Sequence, residues 1–250
     1  MNLNELQWFT PEERRLPDVT ALPMKYLLKS LGIKAWKKLL PARGRFVWTV
    51  TAISDAHGPT ANVRNYLEHQ TIRQIVGELA QGRKLRRACE IGCGYGRIIM
   101  VLKEFADYVK GFEREEHLVE TARSLLPDLE FQRVDSLTAI PEEEPYDLVM
   151  ICAVLQHLTD AEAQQVCKVM QTLAPNGHIL VIEKTEAINV TENIEDGSKF
   201  LSRARSIETY QQYLAPYSLV SVRDRVVEPT YNNPQPGKCM LFVSPGYKES

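Results

Sequence analysis

Residues 87–97 read Arg-Ala-Cys-Glu-Ile-Gly-Cys-Gly-Tyr-Gly-Arg, an apolar run that reaches a carboxylate and then three alternating glycines. The pattern predicts a strand over 85–91 and a helix over 96–105. Glycine has no Cβ, so backbone N–H groups at such a turn can come close to a ligand. The stretch therefore predicts a site for a nucleotide-type cofactor, although a tight strand-to-helix turn without a ligand would use the same residues.

The spacing of the glycines distinguishes between cofactors. Gly92, Gly94 and Gly96 alternate strictly, and Glu90 stands two residues before the first of them. A dinucleotide-binding turn has the different spacing Gly-x-Gly-x-x-Gly, which disfavours a nicotinamide-dependent oxidoreductase. The E-x-G-x-G-x-G pattern resembles the first motif of the class I S-adenosylmethionine (SAM)-dependent methyltransferases, of the small-molecule type. Polyamine synthases share that fold, but their loop is richer in Gly and Asp.

Strands alternate with helices along the middle of the chain. Predicted strands cover 85–91, 108–112, 129–134, 146–151 and 178–182, and predicted helices cover 62–79, 96–105, 115–126 and 160–173. This alternation indicates an α/β fold, a doubly wound parallel sheet covered on both faces. A helix is then expected over 206–214, and two last strands, 219–227 and 238–244, have no helix between them and should pair antiparallel. The resemblance implies seven strands in the order 3-2-1-4-5-7-6, with an N-terminal helical extension.

Composition limits the class of protein. The chain has 250 residues and a formal net charge of -2, which gives no reason to expect nucleic acid as a partner. Five cysteines without a C-x-x-C pair indicate a reduced, cytoplasmic protein, and no metal-ligand spacing is visible. The polar first ten residues are not expected to act as a secretory signal, and the sequence shows no apolar stretch of about 20 residues that would predict a membrane span.

The first 60 residues are expected to form an arm and a basic helical extension, and residues 61–250 the methyltransferase domain. Residues 24–45 contain seven basic and no acidic residues, with leucines at helical spacing. The simplest interpretation is a helix pair packed on the main domain. A lid over an anionic substrate and a contact with a membrane surface are the alternatives.

The resemblance assigns cofactor-binding residues to the carboxyl ends of successive strands, where doubly wound sheets bind ligands. Residues at the end of the first strand would surround the methionine part of SAM, with Arg97 pairing its carboxylate. Glu113, at the end of the second strand, would accept hydrogen bonds from both ribose hydroxyls. Asp135 and Ser136 would face the adenine, although Asp135 could instead only cap the next turn. The full set is Glu90, Gly92, Cys93, Gly94, Gly96, Arg97, Glu113, Arg114, Asp135, Ser136, Cys152, Ala153 and His157.

Methyl transfer from a sulfonium needs alignment of the acceptor, and a base only if the acceptor must lose a proton. His157 lies in the stretch Gln156-His157-Leu158, after the fourth strand, and Glu183 follows the fifth. These two residues are the candidates for a catalytic base, His157 first. A structural role for His157 at the start of the next helix is the alternative.

The acceptor should contact parts of the chain outside the common fold. Mixed basic and aromatic chemistry there suits an acidic or sugar-like small molecule, and the candidate residues are Trp48, His57, Tyr66, Arg203 and Arg205. The predicted reaction is transfer of a methyl group from SAM to an oxygen of such a molecule, leaving S-adenosylhomocysteine. One alternative is methylation of a protein N-terminal amine, because segment 156–160 is similar to a segment of N-terminal protein methyltransferases. The other is a SAM-binding module that docks a membrane or a partner without catalysis.

Overall fold

The computed structural model describes residues 59–141, 144–185, 193–195, 198–200, 203–225 and 237–247. Its core is a seven-stranded sheet in the order β3-β2-β1-β4-β5-β9-β8, which confirms the predicted topology. The first five strands in sequence are parallel, and β9 runs antiparallel to both β5 and β8. The predicted N-terminal arm and basic helical extension lie outside the described residues, except for residues 59 and 60.

The element bounds agree with the predicted ones to within a few residues. The helices are α1 (Pro59–Ala80), α2 (Glu116–Leu125), α3 (Asp160–Leu173) and α4 (Ile207–Tyr213). The main strands are β1 (Leu85–Ile91), β2 (Ala106–Glu113), β3 (Glu130–Arg133), β4 (Leu148–Cys152), β5 (His178–Lys184), β8 (Ser218–Asp224) and β9 (Gly237–Val243). A short hairpin, β6 (Asn193–Glu195) and β7 (Ser198–Phe200), lies between β5 and α4 in the chain.

One predicted helix has a different form. The stretch expected to be helical over 96–105 is a 3₁₀ helix, Ile99–Glu104, preceded by turns. Ile99, Met100, Val101 and Leu102 are all buried, whereas Lys103 and Glu104 at the end of the element are exposed. Tertiary burial therefore holds a short, tight helix in which the hydrogen bonding is poorer than in an α-helix.

The sheet has two buried faces, and alternate residues of each strand point to opposite faces. On one face, Ala88, Met150 and Ile182 pack with α1 and the 3₁₀ helix. On the other face, Cys89, Ile151 and Val181 pack with α3 and α4. We call these the α1 face and the α3 face. This alternation decides the face toward which each polar residue at the carboxyl edge points.

Helix α3 has the start that its sequence predicts. The Thr159 side chain accepts from the backbone N–H of Glu162, and the Glu162 carboxylate accepts from the N–H of Thr159 at 2.9 Å. This reciprocal capping box satisfies two N–H groups that have no partner within the helix. It fixes where the segment between β4 and α3 must end.

Candidate functional site

The glycine-rich turn leaves β1 with three residues in the left-handed region. Gly92, Gly94 and Gly96 have φ of 72°, 57° and 91°. A Cβ at Gly92 would lie 2.5 Å from Val154 Cγ2, and one at Gly96 would lie 2.6 Å from Leu126 Cδ1. Nothing in the described part of the chain lies within 4 Å of a Cβ at Gly94. The outer glycines therefore permit close packing, whereas the middle one keeps the backbone accessible.

Glu113 closes this turn from the end of β2. Its Oε2 accepts from the backbone N–H of Gly94 at 2.9 Å, and its Oε1 accepts from the N–H groups of Arg114 and Glu115 at 2.7 and 2.9 Å. Each carboxylate oxygen can accept about two hydrogen bonds, so Oε2 keeps one lone pair for another donor. The acid assigned to the ribose hydroxyls thus lies directly beside the accessible glycine.

Glu90 lies on the α1 face at the end of β1 and is 2% exposed. Burial raises its pKa to about 8, while the positive charge of Arg97 lowers it and the negative charge of Glu113 raises it. Its Oε2 has no hydrogen-bond partner among the described residues. A buried polar atom without a partner is costly, and a ligand with a donor such as an ammonium group would satisfy it. This acceptor, next to the glycine-rich turn, fits the amino-acid part of SAM, and the contact remains a prediction.

The raised pKa of Glu90 predicts that the free energy of unfolding depends on pH. Between the ordinary Glu pKa of 4.5 and about 8, the native state keeps a proton that the unfolded chain has lost. This contribution to stability is complete below the unfolded-state value and is lost as pH rises through the native one, with a slope of up to ~1.4 kcal/mol per pH unit.

The test is urea unfolding of the wild type and of Glu90→Gln at pH 5, 6.5 and 8. The wild type should lose more stability over this range than the variant, because glutamine has no proton to lose. Glu183 also has a raised pKa and is common to both proteins, so only the difference reports on Glu90. Equal losses would mean that Glu90 ionises normally in the native state.

Arg97 is engaged within the protein. Its guanidinium pairs with the carboxylate of Glu68, which is 2% exposed on α1. Arg225, which follows β8, donates to the same carboxylate through Nε at 2.7 Å and Nη2 at 2.5 Å. His69 Nε2 lies 2.7 Å from the carbonyl oxygen of Arg97. Helix α1 is thereby joined to the glycine-rich turn and to the last part of the sheet.

Sequence reasoning missed Glu68 and Arg225. They are separated by 157 residues, and neither belongs to a motif that would indicate pairing. Only the fold brings the end of β8 next to α1, because β8 is an edge strand whose carboxyl end lies at the same edge as that of β5.

The residues predicted to face the adenine are both near the surface. Asp135 is exposed and its Oδ1 lies 2.7 Å from Nη1 of Arg133. Ser136 Oγ accepts from the N–H of Thr138 at 3.2 Å, so the serine rather than the aspartate caps the turn. The adenine contact remains a prediction for both.

The cysteines of the site contribute through backbone and volume. Cys93 and Cys152 are buried, and burial raises the pKa of both thiols, that of Cys152 to about 12. A Cβ at Gly111 would lie 2.6 Å from Cys93 Sγ, so the Cys93 side chain points into the core toward β2. All five cysteines of the chain are free and buried.

The segment after β4 begins with Ala153 at a φ of 55°, a conformation that is uncommon for a residue with a Cβ. His157, half-buried, ends a short 3₁₀ helix, Leu155–His157, and its Nε2 lies 2.8 Å from Gln156 Nε2. The segment lies at the carboxyl edge, beside the glycine-rich turn. His157 is thus at the predicted place, and its role as a base remains a prediction.

Glu183 and Arg205 differ from expectation. Glu183 is the sixth residue of β5 rather than the first residue after it, and it is fully buried on the α3 face, opposite to Glu90. Arg205 is 4% exposed and bonded to backbone carbonyls, and Arg203 pairs with Asp160 at 2.5 Å. Trp48 and His57 lie outside the described residues, and Tyr66 lies in the first half of α1.

Comparison with known proteins agrees with this geometry. Residues 89–179 match a family model described as a methyltransferase domain. This part of the chain, 91 of its 250 residues, is therefore similar to SAM-dependent methyltransferase domains. The domain includes the glycine-rich turn, Glu113 and the segment after β4, so the family match rests on the residues that form the site.

Among curated relatives, trans-aconitate 2-methyltransferase of Methylobacterium radiotolerans is 33% identical over 121 residues, covering 48% of this chain and 43% of that protein. Protein-L-isoaspartate O-methyltransferase of Azoarcus sp. is 30% identical over 105 residues, covering 40% and 45%. The matches thus span less than half the length of these relatives.

The fold resembles that of magnesium protoporphyrin IX methyltransferase from Synechocystis with bound S-adenosylhomocysteine. The TM-score is 0.59 at 16% identity, and the match covers 88% of this chain and 98% of that one.

The described residues contain neither a cluster suited to a metal ion nor a helix suited to a bilayer. They contain no group of three or more His, Cys, Asp or Glu side chains arranged to hold a metal ion. Within the same residues, no helix has the length and apolar character that crossing a bilayer requires.

Proposed function

We propose that this protein transfers the methyl group of SAM to an oxygen of a small acidic molecule and releases S-adenosylhomocysteine. The observation that carries the proposal is the end of β1, where the unpartnered Glu90 Oε2 and the accessible Gly94 lie beside Glu113 in a methyltransferase domain.

The residues at the carboxyl edge divide the binding of the cofactor among them. Glu90 accepts from the ammonium group of the methionine part, and Arg97, while paired with Glu68, presents its remaining N–H groups to the carboxylate. Glu113 accepts from the ribose. The backbone at Cys152 and Ala153, together with the Gly92 turn, surrounds the sulfur.

Bound SAM supplies a methyl group on a positively charged sulfur, which is already strongly activated. The protein holds the acceptor oxygen in line with the carbon–sulfur bond and keeps water away, and alignment of this kind can contribute ~7 to 11 kcal/mol. The new carbon–oxygen bond forms as the carbon–sulfur bond breaks, and sulfur keeps the electron pair. If the acceptor is a hydroxyl, His157 accepts its proton, whereas a carboxylate has none to lose.

An acidic acceptor is supported by the charges on the α1 face. Arg225 is nearly buried there, and Lys184, at the carboxyl end of β5, is half-buried. Burial and the nearby Arg225 both lower the pKa of Lys184. Cations held in partly desolvated positions favour an anionic ligand. The names of the curated relatives fit this proposal, because trans-aconitate is a small polycarboxylate.

A protein acceptor is the second candidate. It is supported by the relatives that are named protein-L-isoaspartate O-methyltransferases. The same cationic face would then bind a carboxylate on a polypeptide. A binding module without catalysis is disfavoured by the retained Glu90, Gly94 and Glu113.

The test is transfer of labelled methyl from SAM into a desalted, fractionated extract of the source cells. Label should enter an acidic small-molecule fraction and should be released by mild alkali, as expected for a methyl ester. Glu113→Ala serves as the blank. Label in protein would instead support the second candidate, and absence of label in every fraction from a protein that binds SAM would contradict catalysis.

A further inference from the structure

Two buried charged side chains hold the segment between β4 and α3, residues 153–158. The first is Glu183 of β5. Its Oε1 accepts from the backbone N–H groups of Val154 and Leu155 at 2.7 and 2.6 Å, and its Oε2 lies 3.4 Å from the N–H of Gln156. Three consecutive N–H groups therefore point at one carboxylate.

The second side chain is Arg205, which reaches the same segment from 47 to 50 residues away. Its Nη1 donates to the carbonyl of Leu155 and its Nη2 to that of Leu158, both at 2.6 Å. Its Nε donates to Asp160 Oδ1 at 2.9 Å. The Glu183 carboxylate thus accepts from N–H groups of the segment, and the Arg205 guanidinium donates to its carbonyls. Leu155 is held through both its N–H and its carbonyl group.

This arrangement uses buried charge where apolar packing would be cheaper. Removing a charged group from water is costly unless hydrogen bonds compensate, and here backbone groups supply nearly all of that compensation. An apolar residue at either position would fill the space, but it could not fix the direction of the peptide groups. The use of two buried charged side chains at these positions indicates that the position of this segment matters.

The segment contacts the cofactor-binding turn. A Cβ on Gly92 would lie only 2.5 Å from Cγ2 of Val154, so the Val154 side chain packs directly against Gly92. Any displacement of the segment would therefore change the packing on the first glycine. The strained residue Ala153 lies before Val154, and its N–H donates to the carbonyl of Ile182 at 2.9 Å. His157 lies at the other end.

We propose that Glu183 and Arg205 are positioning residues, which fix residues 153–157 against the glycine-rich turn so that the backbone and His157 meet the reactants in one orientation. Neither residue contacts the acceptor. Glu183 is therefore not the base, because its carboxylate is on the α3 face and is engaged by N–H groups of the segment. The activity readout of this inference rests on the proposed methyl transfer, whereas its hydrogen-exchange readout does not.

The experiment compares Glu183→Ala, Glu183→Gln and Arg205→Lys with the full-length wild type. Backbone amide exchange at Val154, Leu155 and Gln156 should accelerate about tenfold or more in Glu183→Ala, while β2 amides keep their protection. Glu183→Gln, whose amide oxygen still accepts, should give an intermediate rate. Arg205→Lys, which can reach only one of the two carbonyls, should also accelerate exchange.

Arg123→Ala is the matched control. Arg123 also donates to a backbone carbonyl, that of Phe131, through Nε at 3.3 Å and Nη2 at 2.8 Å, but this contact is on α2 and β3. Its loss should leave exchange at residues 154–156 and the rate of methyl transfer unchanged. A general loss of stability would appear in this variant as well.

Steady-state kinetics of methyl transfer separate positioning from base catalysis. If Glu183 positions the segment, kcat falls about tenfold in Glu183→Ala, Glu183→Gln restores part of it, and KM for the acceptor changes little. If Glu183 were the base, Glu183→Gln would be as inactive as Glu183→Ala, although it exchanges its amides more slowly. Wild-type exchange rates in Glu183→Ala, or full activity despite faster exchange, would overturn the inference. A wild type that transfers no methyl would refute the proposed function and leave the exchange result to decide this one.

Discussion

Replacement of Glu113 by alanine is expected to weaken the binding of S-adenosylhomocysteine about 100-fold. The carboxylate lies at the end of β2, accepts from Gly94 N–H, and keeps a lone pair on Oε2 for a ribose hydroxyl. A hydrogen bond to a charged group contributes ~1.5–3 kcal/mol, and each 1.4 kcal/mol is a factor of about ten in affinity. Loss of the ribose contact together with the restraint on Gly94 gives the expected factor. Isothermal titration calorimetry with S-adenosylhomocysteine measures it directly.

Glu120→Ala is the control for Glu113→Ala. Glu120 lies exposed on α2, a few residues after Glu113 in sequence, and its replacement by alanine removes the same charge from the molecule. Its affinity for S-adenosylhomocysteine should match that of the wild type. Because Glu113 also holds the turn after β2, thermal unfolding of each variant has to show a folded protein. Unchanged affinity in a folded Glu113→Ala would remove the assignment of this residue to the cofactor.

Substitution of Gly94 by alanine should cost cofactor affinity about 10- to 100-fold, with only a modest loss of stability. A left-handed φ costs a residue with a Cβ ~1–2 kcal/mol, and no described atom lies within 4 Å of the added methyl group. Overpacking against a bound ligand costs ~1–3 kcal/mol more, which accounts for the lower affinity. The two effects can be distinguished, because stability is measured without ligand and affinity is measured with it.

Gly82→Ala provides a close control for this substitution. Gly82 follows α1, has a φ of 77°, and likewise has no described atom within 4 Å of an added Cβ. Both variants should lower the free energy of unfolding by similar amounts, while only Gly94→Ala should bind S-adenosylhomocysteine weakly. Equal affinity in the two variants would mean that the cofactor does not approach Gly94.

Much of the fold could be predicted because its signals are local. The bounds of β1 and α3, the Thr159 cap and the antiparallel pairing of the last two strands all depend on neighbouring residues or on short connections. The same holds for the glycine-rich turn, whose residues need a left-handed φ wherever the chain folds. The helix predicted over 96–105 is a shorter 3₁₀ helix, because the burial of residues 99–102 depends on distant parts of the chain.

The site was predicted in part. Strand ends placed Glu90, Glu113 and the segment after β4 at one edge, since parallel strands end together. The face to which a side chain points could be predicted only once the register was known. Glu183 was therefore taken for a residue after β5, whereas two more residues of strand place it on the α3 face. Arg205, taken for an acceptor contact, binds the backbone of residues 155 and 158 instead.

By itself, the sequence determined the class of fold and the position of the glycine-rich turn, because periodicity, glycine spacing and strand ends are properties of neighbouring residues. The order of the strands was implied by the resemblance to the class I methyltransferases. The tertiary structure alone decided that Glu68 is shared by Arg97 and Arg225, and that Glu183 and Arg205 hold residues 153–158. Those contacts join residues that are 27 to 157 positions apart in the sequence. They depend on the position of each strand in the sheet and on the face of the sheet to which each side chain points. No local sequence pattern determines either.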